Sequence, residues 1–125
     1  MPVFSQDQVP VEFEADVAQA RSIEHGGMTL AFERLSAGVE TAPIYQGLPD
    51  DACQSPHWGY VIRGRLRAIA TDGTEETAEA GQAYYLPPGH NVVVEEDALV
   101  VELSPAEDRA RTMAHAAAMV QAASA

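Results

Sequence analysis

The sequence predicts a small all-β domain followed by a C-terminal α-helix. Short runs with strand periodicity fill the middle of the 125-residue chain, and turn residues separate them. The Asp72-Gly73 pair stands between two such runs and is typical of a tight hairpin. Further on, Ser104-Pro105-Ala106-Glu107 combines a capping serine, a proline at the first helical position and a glutamate three residues after the cap. This combination predicts the start of a helix that runs to about residue 122.

The predicted strands follow one another along most of the chain. Residues 9–14 alternate apolar and polar side chains, and Pro10 indicates that this strand lies at a sheet edge. A turn at residues 25–27 precedes a second alternating run that includes Met28, Leu30 and Phe32. Further strands are predicted at residues 59–62, 65–71, 74–80, 83–86, 92–95 and 98–103, separated by turns at Gly64, Asp72-Gly73, Gly81, Pro87-Gly89 and Glu96-Asp97.

Charges on the arms of the predicted hairpin indicate a solvated surface. Arg65 and Arg67 share one face of the first arm, while Leu66 and Ala68 share the other. The second arm supplies opposite charges at Glu75, Glu76 and Glu79. We therefore predict a cross-strand charge ladder that stabilises the fold by roughly tenths of a kcal/mol per pair.

The chain length fits a single folded domain without disulfide bonds. The C-terminal helix carries a narrow apolar stripe formed by Met113, Ala117 and Val120, while His115 is assigned to the surface. This stripe is expected to dock on the barrel or on a second subunit. The predicted segments are a flexible N-terminus over residues 1–8, a β-barrel domain over residues 9–104, and a C-terminal helix and tail over residues 105–125.

The charge balance excludes several classes of partner. Seven basic residues stand against nineteen acidic ones, for a formal net charge of −12. Nucleic acids and anionic membrane surfaces need clustered positive charge, so the sequence argues against both. No apolar run approaches the roughly 18 residues that span a bilayer, and residues 1–10 lack the features of a signal peptide. We therefore expect a cytoplasmic protein whose partner is a small-molecule ligand.

The chemistry-bearing residues concentrate in two stretches, one around Cys53 and His57 and one that ends at His90. Cys53 is the only cysteine, so it has no intrachain disulfide partner. A lone thiol four residues before a histidine is a donor pair that suits a divalent transition metal. The two stretches therefore predict a pocket that holds one metal ion.

The first stretch resembles the first motif of the cupin superfamily. That motif places two histidines as His-x-His, then a glutamate after three or four residues and a glycine after six more. Asp51, Cys53, His57 and Gly64 occupy these positions here. The spacing is the same, but a thiol replaces one imidazole and an imidazole replaces the carboxylate.

The second stretch resembles the second cupin motif, which contains a glycine, a proline, another glycine, a histidine and an asparagine. Gly81, Pro87 and Gly89 match its spacing, but Val92 stands where the histidine is expected. Glu96 stands where the asparagine is expected. His90 precedes Val92 by two residues, and it would point to the same side if the strand has already begun there.

The resemblance implies an all-β, cupin-type double-stranded β-helix, that is, a jelly-roll barrel of six to eight antiparallel strands that often dimerises. It implies no single activity. Within it, Cys53, His57 and His90 are the predicted metal ligands, with Asp51, Glu102 or water at a fourth position. Zinc is the expected metal and iron the next, because Cys/His sites suit both.

Each predicted ligand also has a structural interpretation that needs no metal. Cys53 fits a small buried apolar residue, and His57 fits a core histidine that bonds to the backbone. His90 fits a loop cap, and Asp51 fits a turn residue better than a ligand.

Two function classes follow for the pocket. An enzyme would use the metal to polarise a carbonyl or to activate water, with Glu33, Glu40 and Glu102 as the candidate bases. A non-catalytic binding or sensing module would hold a ligand without turnover, and a third class is a metal-free structural homodimer. We predict a metal-binding homodimeric cupin that binds or acts on a small organic molecule, and an enzymatic role stays open. The expected pocket residues are Phe32, Trp58, Tyr60, Tyr85, Val92 and Val94.

Overall fold

The computed structural model describes residues 1–124, in which seven strands and two α-helices form. Ala125, the last residue of the predicted tail, lies outside the described part of the chain. The elements are β1 (Val11–Ala15), β2 (Ala18–His25), β3 (Met28–Leu35), α1 (Ala42–Tyr45), β4 (His57–Ala70), β5 (Glu75–Glu79), β6 (Ala83–Leu86), β7 (His90–Pro105) and α2 (Ala106–Ser124).

All seven strands belong to one antiparallel sheet. Its order is β1-β2-β3-β7-β4-β5, and β6 pairs with β4 beside the first part of that strand. The strand at residues 11–15 lies at the edge, as Pro10 predicts. An all-β domain with a C-terminal helix is therefore confirmed.

The two longest strands, β4 and β7, cross the whole sheet and bend together near their middles. Turns were expected at Gly64 and at residues 96–97, but both strands continue through these positions. Their pairing shifts register three times between Val61 and Leu66, which is the signature of β-bulges. Gly64 has φ +88°, and a Cβ there would collide with the carbonyl oxygen of Asp97. The predicted turns are thus bulged bends, because only glycine allows the two backbones to approach so closely.

Two other elements refine the sequence prediction. β2 was not predicted, because Ala18–His25 contains mostly small and polar residues with little apolar alternation. The β4–β5 hairpin forms where Asp72-Gly73 predicts it, with Ala70 N–H donating to the carbonyl of Thr74 at 2.9 Å. Its loop therefore has three residues rather than two.

The helix α2 closes one side of the sheet rather than extending away from it. Its buried positions are Arg109, Thr112 and Ala116, at helical spacing. Met113, Ala117 and Val120, the predicted stripe, also border the interior cavity. The helix therefore packs over the cavity of its own chain, while Ala117 and Val120 of the stripe stay exposed. None of the helices in residues 1–124 is long and apolar enough to cross a membrane.

Candidate functional site

Strand pairing brings Cys53, His57 and His90 together. His57 is the first residue of β4, and His90 is the first residue of β7. Cys53 lies just before β4 and pairs with His90 as an isolated bridge, in which Cys53 N–H donates to the His90 carbonyl at 2.9 Å. The inference that His90 already belongs to a strand and points inward with Val92 holds, because both side chains border the cavity.

The three side chains form a compact, buried group. Their potential ligand atoms all lie within 4.8 Å of one another, and no other such group of His, Cys, Asp or Glu occurs in residues 1–124. Cys53 Sγ lies 3.5 Å from His57 Nε2. Two ligands of a tetrahedral zinc ion, one sulfur and one nitrogen, are separated by about 3.5 Å when the bond lengths are ordinary. The donor set and its spacing therefore fit a transition metal.

Hydrogen bonds orient both imidazole rings. Nδ1 of His90 lies 2.7 Å from the carbonyl oxygen of Pro87, so this nitrogen is the donor and Nε2 is free to bind a metal. Nδ1 of His57 lies 2.6 Å from the hydroxyl of Ser104 and 3.9 Å from Glu102. Ser104 was predicted to cap the helix, and instead it holds this ring. Both Nδ1 atoms are occupied by neighbours, as is usual for metal-binding histidines.

Burial keeps both histidines in the form that a metal needs. It lowers the pKa of His57 to about 4, and it lowers the pKa of His90 to about 4 as well. Burial also raises the pKa of the Cys53 thiol, which favours the protonated form until a cation offsets it. The imidazoles are therefore ready as ligands at neutral pH, and the thiol loses its proton when a metal binds.

The structure places the two carboxylates proposed as a fourth ligand outside the triad. Asp51 is exposed, and its carboxylate accepts the Gly47 N–H at 2.8 Å, so it serves a turn. Glu102 accepts the Tyr84 hydroxyl at 2.6 Å and faces the Nδ1 side of His57 rather than Nε2. Among residues 1–124 the triad could thus offer three ligands, and a metal held there would leave its fourth position to water or to a ligand.

A cavity of about 380 Å³ lies between the inner face of the sheet and α2, and His57 and His90 form part of its wall. This volume lies within the range of small-molecule sites. Much of the wall is aliphatic, and it includes Val92 and Val94 as expected. The other apolar wall residues include Leu35, Ile44, Leu66, Leu86 and Val100.

The aromatic residues expected in the pocket lie elsewhere. Trp58 is 63% exposed, and its ring packs on Tyr85 outside the sheet, with centroids 4.9 Å apart. Tyr60 is also exposed, and Phe32 does not border the cavity. The prediction followed the general enrichment of aromatic residues in cores. Here Trp58 and Tyr60 of β4 and Tyr85 of β6 lie on the outward faces of their strands.

A cluster of polar side chains lies beside the same cavity, with Glu12, Glu33, Glu102 and Arg109 on its wall. Arg109 of α2 donates to Glu33 at 3.2 Å and to Glu12 at 2.8 Å. Glu33 also lies close enough to Glu102 for their charges to interact. The Tyr84 hydroxyl reaches Glu102 across Gly59, where a side chain would collide with the phenol ring.

Electrostatics in this cluster are strongly perturbed. Burial, and then the neighbouring Glu102, raise the pKa of Glu33 to about 7. Burial and Glu102 also raise the pKa of Tyr84, so that its phenol remains a donor. Burial alone lowers the pKa of Arg109, but Glu33 and Glu12 outweigh it and raise the pKa, so the guanidinium stays charged.

Sequence reasoning found part of this cluster and missed the rest. Glu33 and Glu102 were named as candidate bases, whereas Glu40, the third, is exposed and does not border the cavity. Arg109 and Tyr84 were not identified. An arginine in an alanine-rich helix carries no local signal of burial, and Tyr84 differs from its exposed neighbour only by strand alternation, which requires knowing the register.

Comparisons with known proteins agree with the geometry at the level of fold. No protein-family model matches the sequence, and no curated protein matches it. Among solved structures, KdgF from Halomonas sp. is 20% identical, with a TM-score of 0.64 over 84% of this chain and 94% of that one.

Two further solved structures show the same likeness. An RmlC-like cupin from Shewanella frigidimarina is 18% identical, with a TM-score of 0.61 over 82% of this chain and 88% of that one. Ectoine synthase from P. lautus is 17% identical, with a TM-score of 0.64 over 84% of this chain and 78% of that one. The chain therefore has the cupin fold, which confirms the resemblance seen in its motifs.

Proposed function

We propose that this protein binds one divalent transition metal through Cys53, His57 and His90, and that it binds or acts on a small organic molecule in the adjoining cavity. The observation that carries the proposal is the buried triad, whose ligand atoms lie within 4.8 Å of one another and whose two histidines border the cavity. Zinc is the first choice and iron the second, because one thiolate and two imidazoles suit both metals.

The protein's own residues prepare this site. Ser104 and Pro87 fix the two imidazole rings through their Nδ1 atoms. When bound, a metal with one open position would supply Lewis-acid chemistry, by polarising a carbonyl or activating water. Glu33 can hold or release a proton near neutral pH, because burial raises its pKa to about 7. These features support an enzyme, and a cytoplasmic location would keep Cys53 reduced.

The alternative is a non-catalytic binding module whose cavity works without metal. The observation in its favour is that Cys53 already has neighbours suited to a neutral thiol. Its Sγ lies 3.7 Å from the Ser55 carbonyl and 3.9 Å from the Thr112 hydroxyl. A structural homodimer without any ligand is less favoured, because buried charges around a cavity destabilise a purely structural barrel.

We also propose that the protein is a homodimer formed through the outer face of the sheet. This face, the outer apolar patch, consists of Met28, Trp58, Tyr60, Ile62, Tyr85 and Leu103, each between 39% and 63% exposed. Together these side chains expose on the order of 500 Å² of apolar surface. A standard interface buries about 800 Å² per partner, of which somewhat more than half is apolar. A second copy of the chain therefore matches the patch in size.

Elemental analysis of protein purified without a histidine tag or chelator tests the metal proposal. We expect about one zinc or iron per chain in the wild type. The Cys53→Ala and His90→Ala variants should lose it. His25→Ala is the matched control, because His25 is exposed and is not a member of the triad, and it should keep the metal.

A metal content near zero in wild-type protein that was also offered zinc and iron in excess would remove the metal site. In that case calorimetry with small organic ligands would test the binding module directly. Loss of metal in His25→Ala would equally contradict the assignment, since it would place the ion elsewhere.

A further inference from the structure

Tyr45 brings a hydroxyl group to the wall of the cavity. This residue ends α1 and is half-buried, and it borders the cavity. The segment is anchored to α2, because Nε2 of His115 lies 2.7 Å from the carbonyl oxygen of Gln46. Within residues 1–124 the phenol oxygen has no hydrogen-bond partner. A donor that a ligand closes off from water needs an acceptor, since an unmade hydrogen bond is destabilising. A ligand that fills the cavity must therefore bring that acceptor.

The phenol lies in the part of the cavity next to the triad. Its oxygen is close enough to Cys53, Glu33 and Glu102 for their charges to interact. Burial, and then the neighbouring Cys53, raise the pKa of Tyr45 well above its usual value, so the phenol keeps its proton. Tyr45 is therefore a hydrogen-bond donor in the polar region of the cavity.

The wall changes from polar to aliphatic along three elements. β3 borders the cavity first with Glu33 and then with Leu35. α2 borders it first with Arg109 and, about three turns later, with Val120. The residues with which the start of β7 borders it are, in order, His90, Val92 and Val94. The aliphatic parts of β3 and β7 lie together, since Gly38, just after β3, donates its N–H to the Val94 carbonyl at 2.8 Å. The cavity thus joins a polar region to an aliphatic one.

The charged groups on the wall are already paired. Arg109 donates to Glu33 at 3.2 Å and to Glu12 at 2.8 Å, and Glu102 accepts the Tyr84 hydroxyl at 2.6 Å. Arg109 is the only guanidinium among the described residues that border the cavity. An ionic ligand would lose its water there without finding a free partner of opposite charge, which is strongly unfavourable. The wall therefore favours a neutral ligand.

We propose that the cavity binds a neutral aliphatic carbonyl compound, whose oxygen accepts the Tyr45 hydroxyl and whose hydrocarbon body lies against the aliphatic part of the wall. A carbonyl oxygen is only an acceptor, so one donor satisfies it. A volume of about 380 Å³ holds roughly a dozen non-hydrogen atoms, because a water-sized group occupies about 30 Å³ in a liquid. This inference rests on the proposed use of the cavity as a ligand site, and it does not require the metal.

Thermal shift and NMR titration of metal-free protein test this inference. The probes are the methyl ketones from 2-hexanone to 2-decanone, each compared with the amine and the carboxylate of the same chain length. At least one ketone should bind and raise the melting temperature. Affinity should rise about fourfold with each added methylene until the cavity is full. The amine and the carboxylate should bind at least about tenfold more weakly, because their charges find no free partner.

The Tyr45→Phe variant removes the hydroxyl and keeps the ring. It should weaken ketone binding by about tenfold and leave binding of the 1-alkene of the same length unchanged, because the alkene has no oxygen to accept the hydrogen bond. Tyr60→Phe is the matched control, since Tyr60 is exposed on the outer face and does not border the cavity. It should bind ketones like the wild type. The inference is overturned if no ketone binds, if the amine or the carboxylate binds as tightly, or if Tyr45→Phe binds ketones unchanged.

A second variant tests the aliphatic part of the wall separately. Val92→Ile adds one methylene at the cavity and keeps a β-branched side chain in its strand. The ketone that binds most tightly should become shorter, and an unchanged preference would contradict the placement of the hydrocarbon body. Metal content measured in parallel separates the two proposals. Ketone binding by protein that takes up no metal removes only the metal site, and metal uptake without ketone binding removes only this inference.

Discussion

The two halves of β4 present opposite chemistry to the inside and the outside of the sheet. In the second half, Leu66 faces the core while Arg65 and Arg67 pair with acidic residues on the surface. In the first half, His57 faces the cavity while Trp58 and Tyr60 face outward. The second half of β4 thus has an apolar inner face and a charged outer face. The first half, which we call inverted, has a polar residue at the cavity and aromatic residues on its outer face.

The bulge around Gly64 produces this difference. Inward-facing positions are odd-numbered up to Val61 and even-numbered from Leu66, because the register shifts move every later side chain to the other face. The inverted half gains a polar interior that can hold a metal and a ligand. Its exterior is the outer apolar patch, which we propose as the dimer interface. The candidate site and this patch are thus opposite faces of the same strands.

Replacing Gly64 by alanine should give the largest effect on this arrangement. The new Cβ would collide with the Asp97 carbonyl at φ +88°, so we expect a loss of at least about 3 kcal/mol in the free energy of unfolding. Gly73→Ala is the control, with φ +89° but open space around it, and should cost about 1–2 kcal/mol. Urea denaturation measures both, and equal losses would contradict the close approach at the bulge.

The pH dependence of stability tests the polar interior. The pKa of Glu33 rises from 4.5 to about 7 on folding, so the unfolded chain ionises first as the pH rises. Its contribution to stability is present below pH 4.5 and is lost as the pH rises through 7. Metal-free wild type should therefore lose about 3 kcal/mol relative to Glu33→Gln between pH 4 and 8. A constant difference across this range, measured by denaturation, would show that Glu33 is not held in such a site.

The apolar exterior predicts an effect on assembly. Trp58→Ala should weaken the dimer by about 2 kcal/mol, or roughly 30-fold in dissociation constant, because exposed tryptophans at interfaces carry much of the binding energy. Sedimentation velocity over a range of concentrations measures this change. A wild-type protein that stays monomeric at high concentration would remove the dimer, and a dimer that Trp58→Ala leaves intact would place the interface elsewhere.

The smallest effect is expected on the charged exterior of the second half. Arg67 pairs with Glu75 at 2.6 Å and with Glu95 at 3.7 Å, and these groups are partly exposed. Arg67→Ala should therefore cost less than about 1 kcal/mol and leave the dimer unchanged. A loss of 2 kcal/mol or more in the free energy of unfolding, measured by urea denaturation, would show that the outer face of the second half contributes more to stability than a solvated charged surface should.

The motifs allowed the fold and the proximity of Cys53, His57 and His90 to be predicted, because their glycines and prolines occupy positions that the backbone requires. Gly64, Gly81 and Gly89 all have positive φ values, which favour glycine. The spacing of these glycines is therefore enough to identify the motifs. The faces of the strands could not be predicted as well. Trp58 and Tyr60 have the same parity as Leu66, and only the bulge, which pairing reveals, separates them.

The polar cluster was harder still to predict from the sequence. Arg109 and Glu33 are 76 residues apart, and nothing local to either marks the contact. The contact between Arg109 and Glu33 depends on where α2 packs on the sheet. The predicted apolar stripe indicates that the helix packs against something, but it does not indicate the position. Long-range side-chain pairs of this kind follow from tertiary packing rather than from local pattern.

Crystallography of zinc-loaded protein, with anomalous diffraction collected on both sides of the zinc edge, tests the metal site most directly. We expect one strong anomalous peak per chain, about 2.3 Å from Cys53 Sγ and about 2.1 Å from Nε2 of His57 and of His90. An anomalous map without a peak between these three side chains, from crystals grown with excess zinc, would contradict the metal centre on which the proposed function depends.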